Sequence, residues 1–84
     1  MLDEIENKIK NIVSETLKEM RGLDIKLTNE FSLIDSGALD SLSIVDVVQR
    51  LQREFDIEIL VQDVTLDNFD TIDLITKFVK TRLA

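Results

Sequence analysis

Three segments of the chain carry apolar residues at the 3.6-residue spacing of an amphipathic helix. The first segment has one apolar face made of Ile5, Ile9, Ile12, Val13, Leu17 and Met20, with Gly22 placed to cap its C-terminus. The second runs from about Ser41 to Phe55, with a face made of Ile44, Val48, Leu51 and Phe55 and flanked by Val45 and Val47. The last begins after Asp70, its predicted N-cap, with a face made of Ile72, Ile75, Val79 and Leu83.

The segments between these helices are too short or too isolated to form a sheet. Ile25 and Leu27 alternate with polar residues, but no partner strand follows, so residues 23–39 are predicted to be an extended loop. Phe31, Leu33 and Ile34 would pin its second half, as a single helical turn. Residues 56–61 are likewise predicted to be a loop, leading to a short turn near residues 63–66. The pattern predicts an all-α, four-helix bundle in one domain, residues 1–84, with a short third helix and a long loop between the first and second.

Composition narrows the class of partner. The net charge of −7 over 84 residues argues against nucleic acid or an anionic membrane surface and favours basic patches on protein partners. The absence of cysteine excludes thiolate chemistry from the polypeptide itself. No apolar run reaches membrane-spanning length, and the start of the chain is acidic where a secretory signal would be basic. We therefore expect a cytoplasmic protein.

Ser41 lies where the second helix is predicted to begin, after a polar turn that contains Gly37. Serines at such positions are usually capping residues. Here Asp40 can cap the helix, which leaves Ser41 without an obvious structural role. Backbone N–H groups at a helix start favour negative charge, so an anionic group attached to Ser41 would be stabilised. Leu42 falls on the polar side of the helix with Asp46, and is either a docking residue or an ordinary exposed leucine.

Two other chemical interpretations fail on the residues present. A serine nucleophile needs a base, usually histidine, and the chain contains no histidine. Nothing in the sequence brings a lysine such as Lys26 or Lys77 to Ser41. A calcium loop counted from Asp63 would need Gly at its sixth position and Glu at its twelfth, but Asn68 and Leu74 stand there. The chain is therefore predicted not to be an enzyme and to hold no metal.

Two stretches of sequence together resemble the acyl and peptidyl carrier protein family. They are Leu-Ile-Asp-Ser-Gly-Ala-Leu-Asp-Ser-Leu at residues 33–42 and Arg-Glu-Phe-Asp-Ile-Glu-Ile at residues 53–59. The resemblance implies that a phosphopantetheinyl transferase attaches 4′-phosphopantetheine from coenzyme A to Ser41. The cofactor's thiol would then carry an acyl or aminoacyl group as a thioester. By the same resemblance, Asp40, Leu42 and Asp46 would face partner enzymes, and Val45 and Ile59 would contact an acyl chain.

Departures from the fatty-acid-type pattern favour a specialised carrier. The second helix continues with Gln49, Arg50, Gln52 and Arg53, where that type usually has several glutamates. The turn before Ser41 is one residue longer, as in D-alanyl carriers and stand-alone carriers of specialised pathways. We expect a monomer served by acyl or aminoacyl ligase and transferase enzymes. The alternatives are a small helical interaction module without a prosthetic group and a carrier-like scaffold that is no longer modified.

Overall fold

The computed structural model describes residues 3–84, which contain four α-helices and no strand. The first helix, α1, spans Glu4–Thr16 and continues into a π-helical turn, Leu17–Arg21. The second, α2, spans Ser41–Phe55. A 3₁₀ turn, Val61–Asp63, precedes the four-residue α3, Leu66–Phe69, and α4 spans Ile72–Leu83. The predicted all-α four-helix bundle is confirmed, and none of the described helices is long and apolar enough to cross a membrane.

The core lies where α1 meets α2 and α4, and where α3 packs against α4. Fully buried apolar side chains come from every α-helix and from the long loop: Ile9, Val13, Leu33, Val47, Leu51, Phe69, Ile72, Ile75 and Val79. The Phe69 ring packs against the Phe78 ring with 5.4 Å between their centroids. The four-residue α3 would be unstable alone, so this packing is what holds it in place.

Local capping fixes the ends of the helices. The Asp3 carboxylate accepts hydrogen bonds from the Ile5 and Glu6 amides at the start of α1. Gly22 caps the other end with φ +64°, the left-handed conformation that favours glycine, so its predicted capping role is confirmed. The α2 helix ends at Asp56, which adopts the same conformation with φ +52°.

The predicted N-cap of α4 is wrong by one residue. The Thr71 hydroxyl, not the Asp70 carboxylate, accepts from the Leu74 amide at 3.1 Å. Asp70 turns instead to the long loop, where its carboxylate accepts from the Ile34 amide, the Asp35 amide and the Ser32 hydroxyl. Loop amides that pack against the core need acceptors, and Asp70 supplies them.

The charge of Asp70 is stabilised by these bonds. Burial raises the pKa of the Asp70 carboxyl, but hydrogen bonds from the Asp35 and Ile34 amides and the Ser32 hydroxyl outweigh it, and the pKa lies below its ordinary value. The Asp70 carbonyl also accepts from the Leu33 amide at 2.6 Å, and the Asn29 carbonyl accepts from the Asp73 amide. The loop is therefore fastened to the start of α4 rather than held by apolar residues alone.

Other sequence-based expectations need smaller corrections. No helical turn forms at residues 31–34, which are irregular and lie between hydrogen-bonded turns at residues 29–30 and 35–36. The predicted turn near residues 63–66 is the 3₁₀ turn followed by α3. Met20 and Leu83 were assigned to buried faces, yet each is 45% exposed, because the helix ends extend beyond the core. On α2 the fully buried apolar positions are Val47 and Leu51, whereas Ile44 and Val48 are only partly buried.

Candidate functional site

Ser41 is the first residue of α2, and a capping box immediately around it leaves its hydroxyl unused. The Asp40 carboxylate accepts from the Ser43 amide at 2.9 Å, and the Ser43 hydroxyl accepts from the Asp40 amide at 2.8 Å. The prediction that Asp40 caps this helix is therefore confirmed. Ser41 is exposed, and within residues 3–84 its hydroxyl makes no hydrogen bond.

The neighbouring serines all have structural roles. Ser32 donates to Asp70, and Ser36 accepts from the Ala38 amide. Ser43 is fully buried in the capping box. Among the four serines between residues 32 and 43, Ser41 alone presents an exposed hydroxyl without a hydrogen-bond partner in the described part of the chain.

The start of α2 can accept negative charge on Ser41. Within residues 3–84 the Ser41 and Leu42 amides donate to no carbonyl or side chain, as is usual in the first turn of a helix. Together with the helix dipole they would stabilise an anion there by roughly 0.3–1 kcal/mol at an exposed terminus. This geometry fits a phosphodiester on the Ser41 oxygen.

Arg21 holds the loop that precedes Ser41. Its guanidinium donates to the Ala38 and Gly37 carbonyls, each at 3.3 Å, and to the Asp40 carboxylate at 3.0 Å. Gly37 has φ +85°, so a larger residue would be strained in this turn. Hydrogen bonds from the Ser43 hydroxyl and amide, with the charge of Arg21, hold the pKa of Asp40 below its ordinary value. Asp40 is thus a fixed negative charge beside Ser41, and Arg21 partly offsets it.

Two cavities lie along the side of α2 that faces residues 59–66. One, of about 370 Å³, is lined by Ser41 and Asp40 together with Ile34, Leu39, Ile44, Val64, Thr65 and Leu66. The other, of about 430 Å³, is lined by Ile44, Val45, Val48, Gln49, Gln52, Ile59, Leu60, Val61 and Val64. Ile44 and Val64 belong to both linings, so the two cavities adjoin and extend from Ser41 along α2.

The structure brings Val45 and Ile59, predicted to contact an acyl chain, together in the larger cavity. Leu42, predicted to be exposed, is 72% exposed. Asp46 lies one turn beyond Leu42, but its carboxylate is bonded to Arg50 Nε at 2.7 Å and accepts from the Thr16 hydroxyl at 3.2 Å. The predicted partner-facing residues therefore share one region of α2, with both carboxylates already engaged by arginines.

Four residues contribute to this site in ways that the sequence analysis did not predict. Arg21 and Asp70 bind the long loop that precedes Ser41 from distant positions in the chain, and no spacing pattern predicts such contacts. Gln52 Oε1 accepts from the Ile59 amide at 2.8 Å and thereby holds one wall of the larger cavity. Ser43 had a recognisable signal, because a polar residue three positions after Asp40 is the pattern of a capping box.

Comparison with known proteins defines the class to which this fold and site belong. The family model for the phosphopantetheine attachment site matches residues 7–79. The chain is 35% identical over 82 residues to an acyl carrier protein of Thermotoga maritima. The alignment covers 96% of this chain and 94% of that protein. It is 37% identical over 83 residues to an acyl carrier protein of Buchnera aphidicola, and this alignment covers 93% of this chain and 99% of that protein.

The chain therefore belongs to the acyl carrier protein family, whose members are carriers rather than enzymes and whose cofactor is 4′-phosphopantetheine. Solved structures agree with this. The carrier protein in a crystal structure of Bradyrhizobium japonicum glycine:[carrier protein] ligase, complexed with its cognate carrier and an analogue of glycyl adenylate, superposes with a TM-score of 0.80. That carrier is 26% identical in sequence to this chain, and the superposition covers 94% of this chain and 99% of the carrier. A glycylated carrier protein in complex with the same ligase gives a TM-score of 0.76 at 25% identity, and the superposition covers 89% of this chain and 97% of that carrier.

Proposed function

We propose that Ser41 is the residue to which 4′-phosphopantetheine is attached, in a single carrier domain. The observation that carries this proposal is the exposed Ser41 hydroxyl, which the capping box leaves unused at the start of α2. The cofactor supplies a terminal thiol on which an acyl or aminoacyl group is held as a thioester. This supplies the thiol that the cysteine-free polypeptide lacks.

The chain's own residues position this attachment. Asp40 and Ser43 fix the first turn of α2 through hydrogen bonds that leave the Ser41 hydroxyl unused. Arg21 holds the preceding loop and reduces the repulsion between Asp40 and a negatively charged group on Ser41. Val45 and Ile59, in the wall of the larger cavity, are suited to contact an apolar part of the cargo.

Partners of the acyl or aminoacyl ligase kind fit this chain, since the superposed Bradyrhizobium carrier is complexed with a glycine:[carrier protein] ligase. A phosphopantetheinyl transferase would load Ser41, and a further transferase would unload the cargo. Of the predicted partner-facing residues, Leu42 is exposed to solvent, whereas the Asp40 and Asp46 carboxylates are bonded to arginines.

We infer that the protein is a monomer and acts in the cytoplasm. Gln49, Gln52 and Arg53, in place of the usual glutamates, favour a specialised pathway over bulk fatty acid synthesis.

Intact-mass spectrometry tests the attachment site. The purified protein is incubated with coenzyme A, magnesium and a broad-specificity phosphopantetheinyl transferase. We expect one phosphopantetheine adduct on the wild type and on Ser36→Ala, whose serine is exposed in the preceding loop, and no adduct on Ser41→Ala. An adduct on Ser41→Ala would place the attachment elsewhere. The absence of any adduct on the wild type would favour a small helical interaction module without a prosthetic group.

The specialised role is tested with acylated protein, which is made by giving the transferase an acyl coenzyme A in place of coenzyme A, so that the unmodified Ser41 receives an acyl-phosphopantetheine. The acylated protein should be a poor substrate for ordinary fatty-acid condensing enzymes. Replacement of Gln49, Gln52 and Arg53 by glutamate should improve its use. Full turnover of the unaltered protein by those enzymes would contradict a specialised role.

A further inference from the structure

The Arg21 side chain has unused hydrogen-bond donors beside the proposed attachment serine. A guanidinium carries five N–H groups in a fixed planar arrangement. In Arg21, Nε donates to the Ala38 carbonyl, Nη1 to the Asp40 carboxylate and Nη2 to the Gly37 carbonyl. Within residues 3–84 the second N–H of Nη1 and the second N–H of Nη2 have no acceptor, and the side chain is 36% exposed. Arg21 can therefore bind a further anion while it still holds the loop.

A π-helical turn places Arg21 at this position. The turn spans Leu17–Arg21 at the end of α1, and π-helical turns within helices are rare and frequently occur at functional sites. Leu17 is 1% exposed in the core, and its carbonyl accepts from the amides of Gly22 and Leu23. Both ends of the turn are thus fixed, so the backbone that carries Arg21 is anchored beside the loop that precedes Ser41.

Arg21 is the positively charged residue that balances the acids next to Ser41. In the part of the chain that the structure describes, no other lysine or arginine is bonded to residues 35–42, which include Asp35 and Asp40. A phosphodiester on Ser41 would add a negative charge beside Asp40, and like charges this close repel each other. A guanidinium shared between Asp40 and the phosphodiester would offset that repulsion.

Asp40 does not depend on Arg21 alone. Its Oδ1 atom accepts from the Ser43 amide at 2.9 Å and from the Ser43 hydroxyl at 2.7 Å, whereas Arg21 binds the other oxygen, Oδ2. The cap of α2 would therefore persist if part of the guanidinium turned toward a neighbouring anion. Consecutive Cα atoms are about 3.8 Å apart, so an anion on Ser41 lies within reach of a side chain that already contacts Asp40.

On the basis of the proposed attachment at Ser41, we propose that Arg21 binds the phosphodiester of the attached 4′-phosphopantetheine. Its unused N–H groups suit the oxygens of a phosphodiester, because guanidinium and phosphate groups form charge-assisted hydrogen bonds. Arg21 lines neither of the two cavities that adjoin along α2. The charged end of the cofactor is therefore held at the loop of residues 37–40, and its charge stays out of the largely apolar cavities, where burying it would be unfavourable.

A thermodynamic cycle separates this contact from the role of Arg21 in holding the loop. Melting temperatures are measured for the unmodified and the phosphopantetheinylated protein, in the wild type and in Arg21→Gln. The loop contacts are absent from both forms of the variant and cancel, whereas the contact with the phosphodiester exists only in the modified wild type. At low salt we expect attachment to change the melting temperature of Arg21→Gln about 2–5 °C less favourably than that of the wild type. High salt should reduce this difference.

Lys18→Gln is the matched control. Lys18 lies in the same π-helical turn and its replacement makes the same change in net charge, but its ion pair is with Asp24. Attachment should therefore change the melting temperature of Lys18→Gln as it does that of the wild type. An equal effect of attachment in the wild type and Arg21→Gln would overturn the proposal. Equal losses in the two variants would overturn it as well, because net charge alone would then account for them.

Nuclear magnetic resonance gives a second readout, which needs no variant if Arg21→Gln folds poorly. In the wild type we expect the Nε–H signal of Arg21 to shift when 4′-phosphopantetheine is attached. The Nε–H signal of Arg82, which is paired with Asp63, should stay in place. An Arg21 signal that does not respond to attachment, or one that moves no more than that of Arg82, would contradict the proposed contact. Absence of modification in the wild type would instead refute the attachment at Ser41 itself.

Discussion

The α2 helix has one closed side and one open side. Toward α1, Val47 and Leu51 are fully buried, and Arg50 bridges to Glu15 and Glu19. On the other side, Val48 is only partly buried and faces a cavity of about 430 Å³. Protein interiors are normally packed without voids of this size. This difference in packing shows that one side of α2 stabilises the bundle, whereas the other side presents the proposed attachment site and the cavity.

The walls of the open side are held mainly by individual polar contacts. Gln52 binds the Ile59 amide, and Asp70 binds the loop that contains Ile34. Such contacts contribute less than a packed core, but they set the positions of the segments that form the cavities. We therefore expect substitutions on the closed side to change global stability, and those on the open side to change local order or docking.

The largest expected effect is that of Leu51→Ala on the closed side. Leu51 is fully buried, so its truncation should lower the free energy of unfolding by about 2–5 kcal/mol through lost burial and a residual cavity. Leu42→Ala, in the same helix but 72% exposed, should stay within about 0.5 kcal/mol. Urea unfolding followed by circular dichroism measures both. Similar losses in the two variants would show that α2 is not divided in this way.

A smaller effect is expected for Asp70→Asn, which weakens the attachment of the long loop. At pH 7 we expect a loss of about 1–3 kcal/mol, because hydrogen bonds to a charged acceptor are stronger than those to a neutral amide. Asp35→Asn is the matched control, since Asp35 lies in the same loop and its exposed side chain makes no hydrogen bond or ion pair within residues 3–84.

The Asp70 effect should depend on pH in a defined direction. The folded pKa of Asp70 lies below the ordinary value of 3.8, so its ionised form stabilises the fold at higher pH. That contribution is present above about pH 4 and is lost as the pH falls through the lower, folded pKa. The difference in unfolding free energy between wild type and Asp70→Asn should therefore shrink below pH 4. A difference that stays constant down to pH 2.5 would contradict this assignment.

The smallest expected effect concerns the two glutamines of the larger cavity. Gln52→Met removes the acceptor of the Ile59 amide and should cost about 0.5–1.5 kcal/mol, with faster amide hydrogen exchange in residues 57–64. Gln49→Met changes the same cavity without removing that bond and should leave exchange at Ile59 unchanged. Equal exchange rates at Ile59 in the two variants would mean that packing, rather than Gln52, positions this wall.

Much of this protein follows from local sequence. Helical spacing of apolar residues predicts α1, α2 and α4, and Gly22 and Asp40 predict two of their ends, because capping depends on residues a few positions apart. The exposure of Leu42 and the unused hydroxyl of Ser41 follow from the same local geometry. The motif around Ser41 also indicates the family, since the turn, the serine and the helix start are contiguous in the chain.

Only the tertiary structure determines which residues that are distant in the chain contact one another. Arg21 binds Asp40, the Thr16 hydroxyl donates to Asp46, and Asp70 binds residues 32–35, although the spacing of these residues along the chain does not predict any of these contacts. The buried face of α2 also depends on its neighbours: Val47 and Leu51 are fully buried in the core, whereas within residues 3–84 a cavity remains beside Val48. A helical pattern fixes which residues share a face, but which part of that face is covered depends on elements that approach it from elsewhere in the chain.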